Sequence, residues 1–301
     1  MIDLAARLRT LLASGEPAIL VRVASALGST PREAGAAMVV TAATSTGTVG
    51  GGALERLSIE RARTMIAAGE AEAMLAVPLG PRIGQCCGGH VTLALAAVDA
   101  ALLASEEARD RAQAAARPAV LIFGAGHTGQ SLARALALLP LQVGVVDTRP
   151  DALATLPEGV DARALALPET AVAAARPGTA FLVMTHDHQL DFLIAAAALG
   201  RGDATYVGMI GSATKREKFR RHLRDAGAEA LIDRLVLPIG GLAVRDKRPE
   251  VIAALTAAEL VSVLLGKAEE KAAGPVADAA SQCNSEPIAS VQPKGRHARA
   301  S

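Results

Sequence analysis

The chain has 301 residues, one tyrosine, four phenylalanines, no tryptophan and a formal net charge of only +1. A nearly neutral chain with so few aromatic rings lacks the basic surface and the stacking platforms by which proteins bind nucleic acids. No run of about 20 residues is free of charges and helix-breaking residues, so a membrane span is not expected, and the length suits two domains.

Residues 1–98 are predicted to form a small α/β domain. Apolar periodicity indicates an N-terminal helix, a helix over 54–68 after a glycine-rich turn at 47–52, and strands over 18–24, 36–41, 71–77 and 90–96. Arg7 and Arg9 interrupt the first apolar segment, unlike the uncharged core of a signal peptide. We therefore expect a cytoplasmic protein whose thiols stay reduced.

The rest of the chain is predicted to hold a linker, a second domain and a tail. Residues 99–117 indicate a helical linker that ends at Pro118. Residues 118–266 alternate apolar strands with helices, which predicts a Rossmann-like parallel sheet covered on both faces. Residues 267–301 are poor in large apolar side chains and are expected to be disordered. The strands of the second domain are expected at 119–123, 143–147, 162–166, 180–185, 205–210 and 235–237.

Two of the three cysteines, Cys86 and Cys87, are adjacent and precede Gly88 and Gly89, whereas Cys283 lies in the predicted tail. Adjacent Cα atoms are about 3.8 Å apart, closer than the roughly 4.4–6.8 Å of most disulfides, so a structural disulfide is not expected. The pair is either a reactive sulfur site or two small buried side chains. These residues alone leave both interpretations open.

A glycine motif follows the first strand of the second domain. Gly124, Gly126 and Gly129 stand between the apolar segment 119–123 and an alanine-rich helix. In dinucleotide-binding domains such glycines permit a tight turn, the approach of a pyrophosphate, and close packing of the helix on the strand. Asp147 ends the next strand, 18 residues after the third glycine, where an acid would accept a ribose hydroxyl. The motif predicts the fold and leaves the ligand open.

Polar residues follow another strand of the second domain. Thr185, His186, Asp187 and His188 come directly after the apolar segment 180–184, and Asp191 follows shortly. Histidines and acids at this spacing could ligate a metal or relay protons. Alternatively, Thr185 or Asp187 caps the next helix and the histidines only line the edge of the sheet.

Ser212 and Lys215 open the helix after the following strand. A helix start with a hydroxyl and a cation suits a phosphate, but a capped helix with a solvated basic face has the same pattern. The loop 238–241 could close the same crevice.

Two loops of the first domain have the composition of ligand-binding loops. Residues 28–32 combine glycine, hydroxyl groups and Arg32, and the segment 47–55 brings Gly51, Gly52 and Glu55 to a helix start. Such loops either approach an anion with their backbone or form strained turns.

Together these segments resemble the XdhC/CoxI family of xanthine dehydrogenase accessory proteins over about residues 10–266. The doubled cysteine and the segments 212–218 and 238–250 resemble the xanthine dehydrogenase branch of this family. The motifs that carry the resemblance are those at 28–32, 50–55, 85–89, 124–129, 185–188 and 208–212.

The resemblance implies a chaperone for the molybdenum cofactor, molybdopterin. Such a protein protects the cofactor during sulfuration and inserts it into apo xanthine dehydrogenase, while a cysteine desulfurase supplies the sulfur. Cys87 would contact molybdenum. The resemblance leaves open whether the cofactor is bare molybdopterin or its cytidine dinucleotide. The residues expected to bind the cofactor, or a nucleotide in the second domain, are Cys86, Cys87, Gly88, Gly89, Arg32, Gly51, Gly52, Glu55, Gly124, Gly126, Gly129, Asp147, His186, His188, Ser212 and Lys215.

Two other functions compete with this interpretation. An NAD(P)-dependent oxidoreductase would use the glycine motif and take His186 or His188 as its acid or base. A redox or metal sensor would use Cys86 and Cys87. The residues alone favour the oxidoreductase, and the resemblance favours the chaperone. No nucleic-acid or membrane partner is expected, and the apolar composition is compatible with a homodimer.

Overall fold

A computed structural model describes residues 3–80, 88–241, 244 and 246–266. The chain divides into two compact units, residues 1–117 with 140–142 and residues 118–139 with 143–301. Each unit contains one sheet. The cysteine pair and the segment 267–301, which we predicted to be disordered, lie outside the described residues.

The first unit is built on a five-stranded sheet in the order β3-β2-β1-β5-β4. All of its strand pairs are antiparallel. Its buried strand residues are mainly valine, leucine and isoleucine, whose branched side chains pack well on a pleated surface. The strands are β1 (Ala18–Leu27), β2 (Ala37–Thr41), β3 (Ser45–Gly47), β4 (Glu72–Pro78) and β5 (His90–Ala97).

Among the described residues, three helices cover this sheet: α1 (Leu4–Ser14), α2 (Gly52–Ala68) and α3 (Ala100–Ala116). Asp3 and Asp99 cap α1 and α3 by accepting hydrogen bonds from backbone N–H groups of the first turn. The segment that we predicted to be a linker therefore forms α3, which packs against α1 and belongs to the first unit.

The two faces of the first sheet carry different layers. Ile19, Val21 and Val23 point to one face and pack with residues of α2. Leu20 points to the other face, where it packs with residues of α1 and α3. Because side chains alternate along a strand, Arg22 lies on the α1/α3 face.

Two strands of the first unit differ from the prediction. Strand β1 continues to Leu27, three residues beyond the predicted end at residue 24. Strand β3 was not predicted, since Ser45, Thr46 and Gly47 have no apolar alternation. It forms because its backbone pairs with that of β2, for example Val39 with Thr46.

The second unit is a six-stranded sheet in the order β11-β10-β9-β6-β7-β8. The pairs β6–β9, β9–β10, β10–β11 and β7–β8 are parallel. Counted within this unit, the order is the 3-2-1-4-5-6 order of dinucleotide-binding folds, which confirms the predicted fold class. The strands are β6 (Ala119–Phe123), β7 (Gln142–Asp147), β8 (Asp161–Ala164), β9 (Ala180–Val183), β10 (Tyr206–Met209) and β11 (Leu235–Val236).

The second sheet packs against helices through a continuous apolar core. Phe181 of β9, Ile194 of α7 and Phe219 of α8 are fully buried in it. Burial of one such side chain contributes about 1.5–3 kcal/mol. No helix in the described part of the chain is long and apolar enough to span a membrane. The helices are α4 (His127–Ala137), α5 (Pro150–Leu153), α6 (Thr170–Ala174), α7 (His188–Gly200), α8 (Ala213–Asp225) and α9 (Pro249–Leu264), with a 3₁₀ helix at Glu229–Arg234.

Candidate functional site

The order of the second sheet reverses between β6 and β9, and ligands of such sheets bind beyond the carboxyl ends of the strands at that point. Gly124 follows β6 with a φ of +108°, which favours glycine. A Cβ atom at Gly124 would lie 2.4 Å from the carbonyl oxygen of Met184, just after β9. The first glycine of the motif therefore lets the two strand ends approach each other.

The other two glycines of the motif have different surroundings. A Cβ atom at Gly129 would lie 1.9 Å from the carbonyl oxygen of Gly124, so this glycine allows α4 to pack on the turn. At Gly126, the N-cap of α4, a Cβ atom would meet no described atom within 4 Å. Space is therefore left where a phosphate could approach the first N–H groups of the helix.

Asp147 ends β7 beside this turn and is buried. Its carboxylate accepts hydrogen bonds from the Ala125 N–H at 2.7 Å, from the Arg149 N–H at 2.9 Å and from the Arg149 guanidinium at 3.0 Å. Burial acts to raise the pKa of Asp147, but the Arg149 side chain and the two backbone N–H groups outweigh it and lower the pKa to about 2. The carboxylate is therefore ionised at neutral pH.

Arg149 is the residue of this site that the sequence analysis missed, although an arginine two residues after the acid was a visible signal. Its guanidinium holds both carboxylate oxygens of Asp147, and its side chain is half-exposed. A ribose hydroxyl at Asp147 would have to share the carboxylate with Arg149. An arginine here can also accommodate a phosphate on the ribose.

Among the predicted residues after β9, the structure brings His186 to the glycine turn. Gly124, Asp147, Thr185 and His186 line one narrow recess. His188 is the first residue of α7 and is exposed, and Asp187 caps this helix by accepting a hydrogen bond from the Gln189 N–H at 2.7 Å.

A metal site at these residues has no structural support. The described residues contain no group of three or more His, Cys, Asp or Glu side chains arranged to hold a metal ion. The alternative that Asp187 serves as a helix cap is confirmed.

Lys215 and Asp191 form a buried ion pair next to the residues that follow β9 and β10. The Lys215 ammonium donates to the Asp191 carboxylate and, at 2.9 Å, to the carbonyl of Ile210. Asp191 also accepts hydrogen bonds from the N–H and the hydroxyl of Thr185. The pair thus connects α8 with the loop after β9.

The side chain of Lys215 does not lie where the hypothesis of a phosphate site at the start of α8 requires it. Ser212 is the N-cap of α8, as predicted, and accepts a hydrogen bond from the Lys215 N–H at 3.4 Å. However, the Lys215 side chain turns inward to Asp191 and is only 8% exposed, so it presents no solvated cation at the helix start. The reason is that the carboxylate of Asp191, fully buried on α7, requires a partner.

In the first unit, the structure brings two of the predicted loops into contact. A Cβ atom at Gly89 would lie 2.3 Å from the carbonyl oxygen of Ser29, and one at Gly28 would lie 3.3 Å from the Cα atom of Gly89. Gly89 also accepts a hydrogen bond from the Leu79 N–H at 2.8 Å. The 28–32 loop and the glycines that follow the cysteine pair therefore lie against each other.

The third glycine loop joins the same end of this unit. A Cβ atom at Gly50 would lie 2.5 Å from Cγ of Pro31 in the 28–32 loop. Gly51 and Gly52 both have positive φ and open α2, and no described atom lies within 4 Å of a Cβ at Gly51. Glu55 holds the loop by accepting a hydrogen bond from the Val49 N–H at 3.3 Å.

The remaining predicted residues of the first unit lie beside this contact. Arg32 pairs with its neighbour Glu33 at 3.1 Å. At Gly88 no described atom lies within 4 Å of a Cβ position. Cys86 and Cys87, which precede Gly88 in the sequence, lie outside the described residues. The described geometry therefore unites the three glycine loops and leaves the cysteines as a prediction.

Comparison with proteins of known structure identifies a relative of the same fold. A crystal structure described as a xanthine dehydrogenase from Bacillus halodurans has a TM-score of 0.71 at 20% sequence identity, and the match covers 90% of this chain and 98% of that one. A putative oxidoreductase from Magnetospirillum magnetotacticum has a TM-score of only 0.28 at 22% identity, covering 38% and 37% of the two chains. The first match shows the fold.

Sequence comparison gives one curated relative and two family matches. The uncharacterized protein YqeB of Escherichia coli is 26% identical over 257 residues, which cover 82% of this chain and 43% of YqeB. The chain therefore spans less than half the length of this relative. The XdhC Rossmann domain matches residues 120–260, and the XdhC and CoxI family domain matches residues 11–78. Because these two matches together cover more than half of the chain, one in each unit, the chain belongs to the XdhC and CoxI family.

Proposed function

We propose that the chain acts in the maturation of a xanthine dehydrogenase, as a chaperone that carries the molybdenum cofactor as its cargo. It would protect the cofactor while a cysteine desulfurase supplies sulfur, and then insert it into the apo enzyme. Membership of the XdhC and CoxI family supports the link to xanthine dehydrogenase. The cargo, the sulfur donor and the insertion step are our proposal.

The observation that carries this proposal is the meeting of three glycine loops in the first unit. The 28–32 loop contacts both Gly50 and Gly89. Loops that lack Cβ atoms let a ligand approach backbone N–H groups closely, which suits an anionic and bulky cargo. Gly51 and Gly52 provide such a surface at the start of α2, and Cγ of Arg32 lies 3.7 Å from a Cβ position at the preceding Gly50.

The chemistry of the adjacent thiols agrees with this cargo. Cys86 and Cys87 immediately precede Gly88 and Gly89 in the sequence. Thiolates are soft ligands, which match a metal that is itself bound by sulfur. We propose that Cys87 contacts the molybdenum and that Cys86 assists it.

The experiment that tests this proposal measures cargo in the purified protein. The full chain is expressed in a host that makes molybdopterin, and molybdenum and fluorescent oxidised pterin are quantified per chain. The double variant Cys86→Ala/Cys87→Ala should lose both, whereas Cys283→Ala should keep both and serves as the matched control. Of the single variants, Cys87→Ala should lose more cofactor than Cys86→Ala, because Cys87 directly precedes the glycines.

Two results would contradict the proposal. Wild type without molybdenum and without pterin would show that the chain does not carry this cargo. Equal cofactor content in wild type and in the double variant would show that the thiols do not bind it.

The second unit supports a second candidate function, the binding of a nucleotide. The observation that supports it is that no described atom lies within 4 Å of a Cβ position at Gly126, in the same glycine motif that the ionised Asp147 contacts. An NAD(P)-dependent oxidoreductase would use this site and could take His186, which shares its recess, as a proton donor or acceptor. Calorimetric titration with NAD⁺ and NADP⁺ tests this function, and absence of heat with both would exclude it.

A further inference from the structure

A groove on the α1/α3 face of the first unit shares Arg32 with the proposed cargo surface, but its other charged side chains have no role in the proposed function. It has a volume of about 600 Å³, within the range of about 300–1,000 Å³ that is typical of small-molecule sites. Its charged side chains come from β1, from the loop before β2 and from α3. They are Arg22, Arg32, Glu33, Glu106, Arg109 and Asp110.

One wall of the groove is a polar stripe on α3. Glu106, Arg109, Asp110 and Gln113 stand at positions i, i+3, i+4 and i+7 and therefore lie on one face of the helix. All four line the groove, although the rest of α3 is mainly alanine and leucine. Polar side chains of the groove thus project from a rigid element.

Two of the three arginines in the groove are neutralised by acids of the chain. Arg22 donates to the carbonyl of Gly35 at 2.8 Å and forms an ion pair with Glu106, and both side chains are largely buried. Arg32 is paired with Glu33. Arg22, whose pair is buried, therefore needs no external anion.

Arg109 differs, because its guanidinium has no hydrogen-bond acceptor and no ion-pair partner among the described residues. It is half-buried and lies against the backbone, since a Cβ atom at Gly35 would be 2.9 Å from its Nη2. Gly35 has a φ of +96°, so a glycine makes this approach possible. Burial lowers the pKa of Arg22 and the paired Glu106 opposes this, while the charge of Arg109 adds to the lowering and that of Asp110 opposes it.

Asp110 supplies the opposite charge. It is exposed, lines the groove, and accepts no hydrogen bond from the described residues. On consecutive residues of α3 the groove therefore offers a guanidinium and a carboxylate that form no hydrogen bond and no ion pair with the described residues.

We propose that this groove binds a small organic molecule with one oxyanion, phosphate or carboxylate, and one amine. Arg109 binds the oxyanion, because a guanidinium donates two parallel hydrogen bonds to either group. Asp110 accepts from the amine. The paired Arg22 and Glu106 form the fixed wall that holds α3 against β1.

A matched set of probes tests this proposal on the full chain. Phosphoethanolamine and β-alanine each carry an ammonium group two carbons from the oxyanion, and ethanolamine has the ammonium group alone. Dissociation constants are measured by ligand-observed NMR titration. We expect wild type to bind one of the first two probes more tightly than ethanolamine, and the one bound identifies the oxyanion as phosphate or carboxylate.

Variants on α3 locate the binding. Arg109→Gln should weaken binding of the preferred probe at least tenfold, and Asp110→Asn should weaken it several-fold. Arg111→Gln, which removes an exposed arginine of the same helix outside the groove, should change it less than twofold. Far-UV circular dichroism confirms the fold of each variant. Absence of binding by wild type, equal binding of ethanolamine, or equal affinity of Arg109→Gln and Arg111→Gln would overturn the proposal.

Discussion

The ammonium group of Lys215 lies 2.5 Å from a carboxylate oxygen of Asp191, and these side chains are only 8% and 0% exposed. Asp191 in turn accepts hydrogen bonds from Thr185 in the loop after β9. This loop carries His186 to the recess beside Asp147. The buried pair therefore fixes the edge of the sheet at which the candidate nucleotide site lies.

The first prediction concerns this pair. Lys215→Met should lower the free energy of unfolding by about 3–5 kcal/mol, because it leaves the Asp191 carboxylate buried without a counter-charge. Lys218→Met on the same helix is the control: Lys218 is exposed, and its replacement should change the free energy by less than about 0.5 kcal/mol. Urea denaturation measures both values. Equal losses in the two variants would show that the pair does not stabilise the fold.

The second prediction separates two glycines of one motif. Gly129→Ala places a Cβ atom 1.9 Å from the Gly124 carbonyl oxygen, so α4 must shift, at a cost of about 1–3 kcal/mol. Gly126→Ala meets no described atom within 4 Å and should leave the free energy of unfolding within about 0.5 kcal/mol of wild type. If a nucleotide binds here, Gly126→Ala should nevertheless weaken it at least tenfold. Urea denaturation and nucleotide titration provide the two readouts.

Apolar periodicity and glycine placement predict most of the fold. The strands of the second unit appear within a few residues of their expected ranges. Except for β8, whose four residues are exposed, they are short apolar and mainly buried segments next to a turn signal. The glycine motif that begins at Gly124 indicates the Rossmann-like fold, because its glycines stand between an apolar strand and a helix. Strand β3 could not be predicted, since its three residues take their structure from pairing with β2 and not from their own side chains.

The sequence predicts where the strands end better than it predicts the partners of individual charges. Asp147 lies at the end of β7 as expected. Its hydrogen bonds from the Arg149 guanidinium, however, depend on the turn that brings both residues together. Lys215 turns inward because Asp191 is buried 24 residues earlier in the chain. Such pairs depend on helix packing, which a local pattern does not contain.

The third prediction is a pH dependence that originates at Asp147. Its pKa is about 2 in the folded chain and about 3.9 in an unfolded one. Because the folded pKa is the lower one, this group stabilises the fold above pH 4, and the contribution of roughly 2 kcal/mol disappears as the pH falls from 4 to 2. Urea denaturation at pH 5, 4, 3 and 2.5 should show this loss in wild type.

Arg149→Gln is the variant that tests the origin of this pH dependence. It removes the guanidinium that holds both oxygens of Asp147, so the loss of stability between pH 4 and 2.5 should become smaller than in wild type. Arg163→Gln is the control. Arg163 pairs with the exposed Asp161, at the end of β8 that is remote from Asp147, so this variant should leave the loss of stability unchanged. Identical pH profiles of wild type and Arg149→Gln would contradict the assignment.

The last prediction tests the contact between the glycine loops of the first unit, on which the proposed cargo site depends. In Gly89→Ala the new Cβ atom would lie 2.3 Å from the carbonyl oxygen of Ser29 and 2.8 Å from that of Leu27. Both obstacles are backbone atoms, so the 28–32 loop must move, and we expect a loss of about 1–3 kcal/mol in the free energy of unfolding. The same displacement should reduce the molybdenum and pterin content at least fivefold.

Gly88→Ala is the matched control one residue away, because no described atom lies within 4 Å of its Cβ position. Its free energy of unfolding should stay within about 0.5 kcal/mol of wild type. Comparison of the two variants separates the position of the loop from the mere presence of an extra methyl group. If Gly89→Ala retained full cofactor content despite its lower stability, the contact between Gly89 and Ser29 would be structural only, and the cargo site would have to lie elsewhere in the chain.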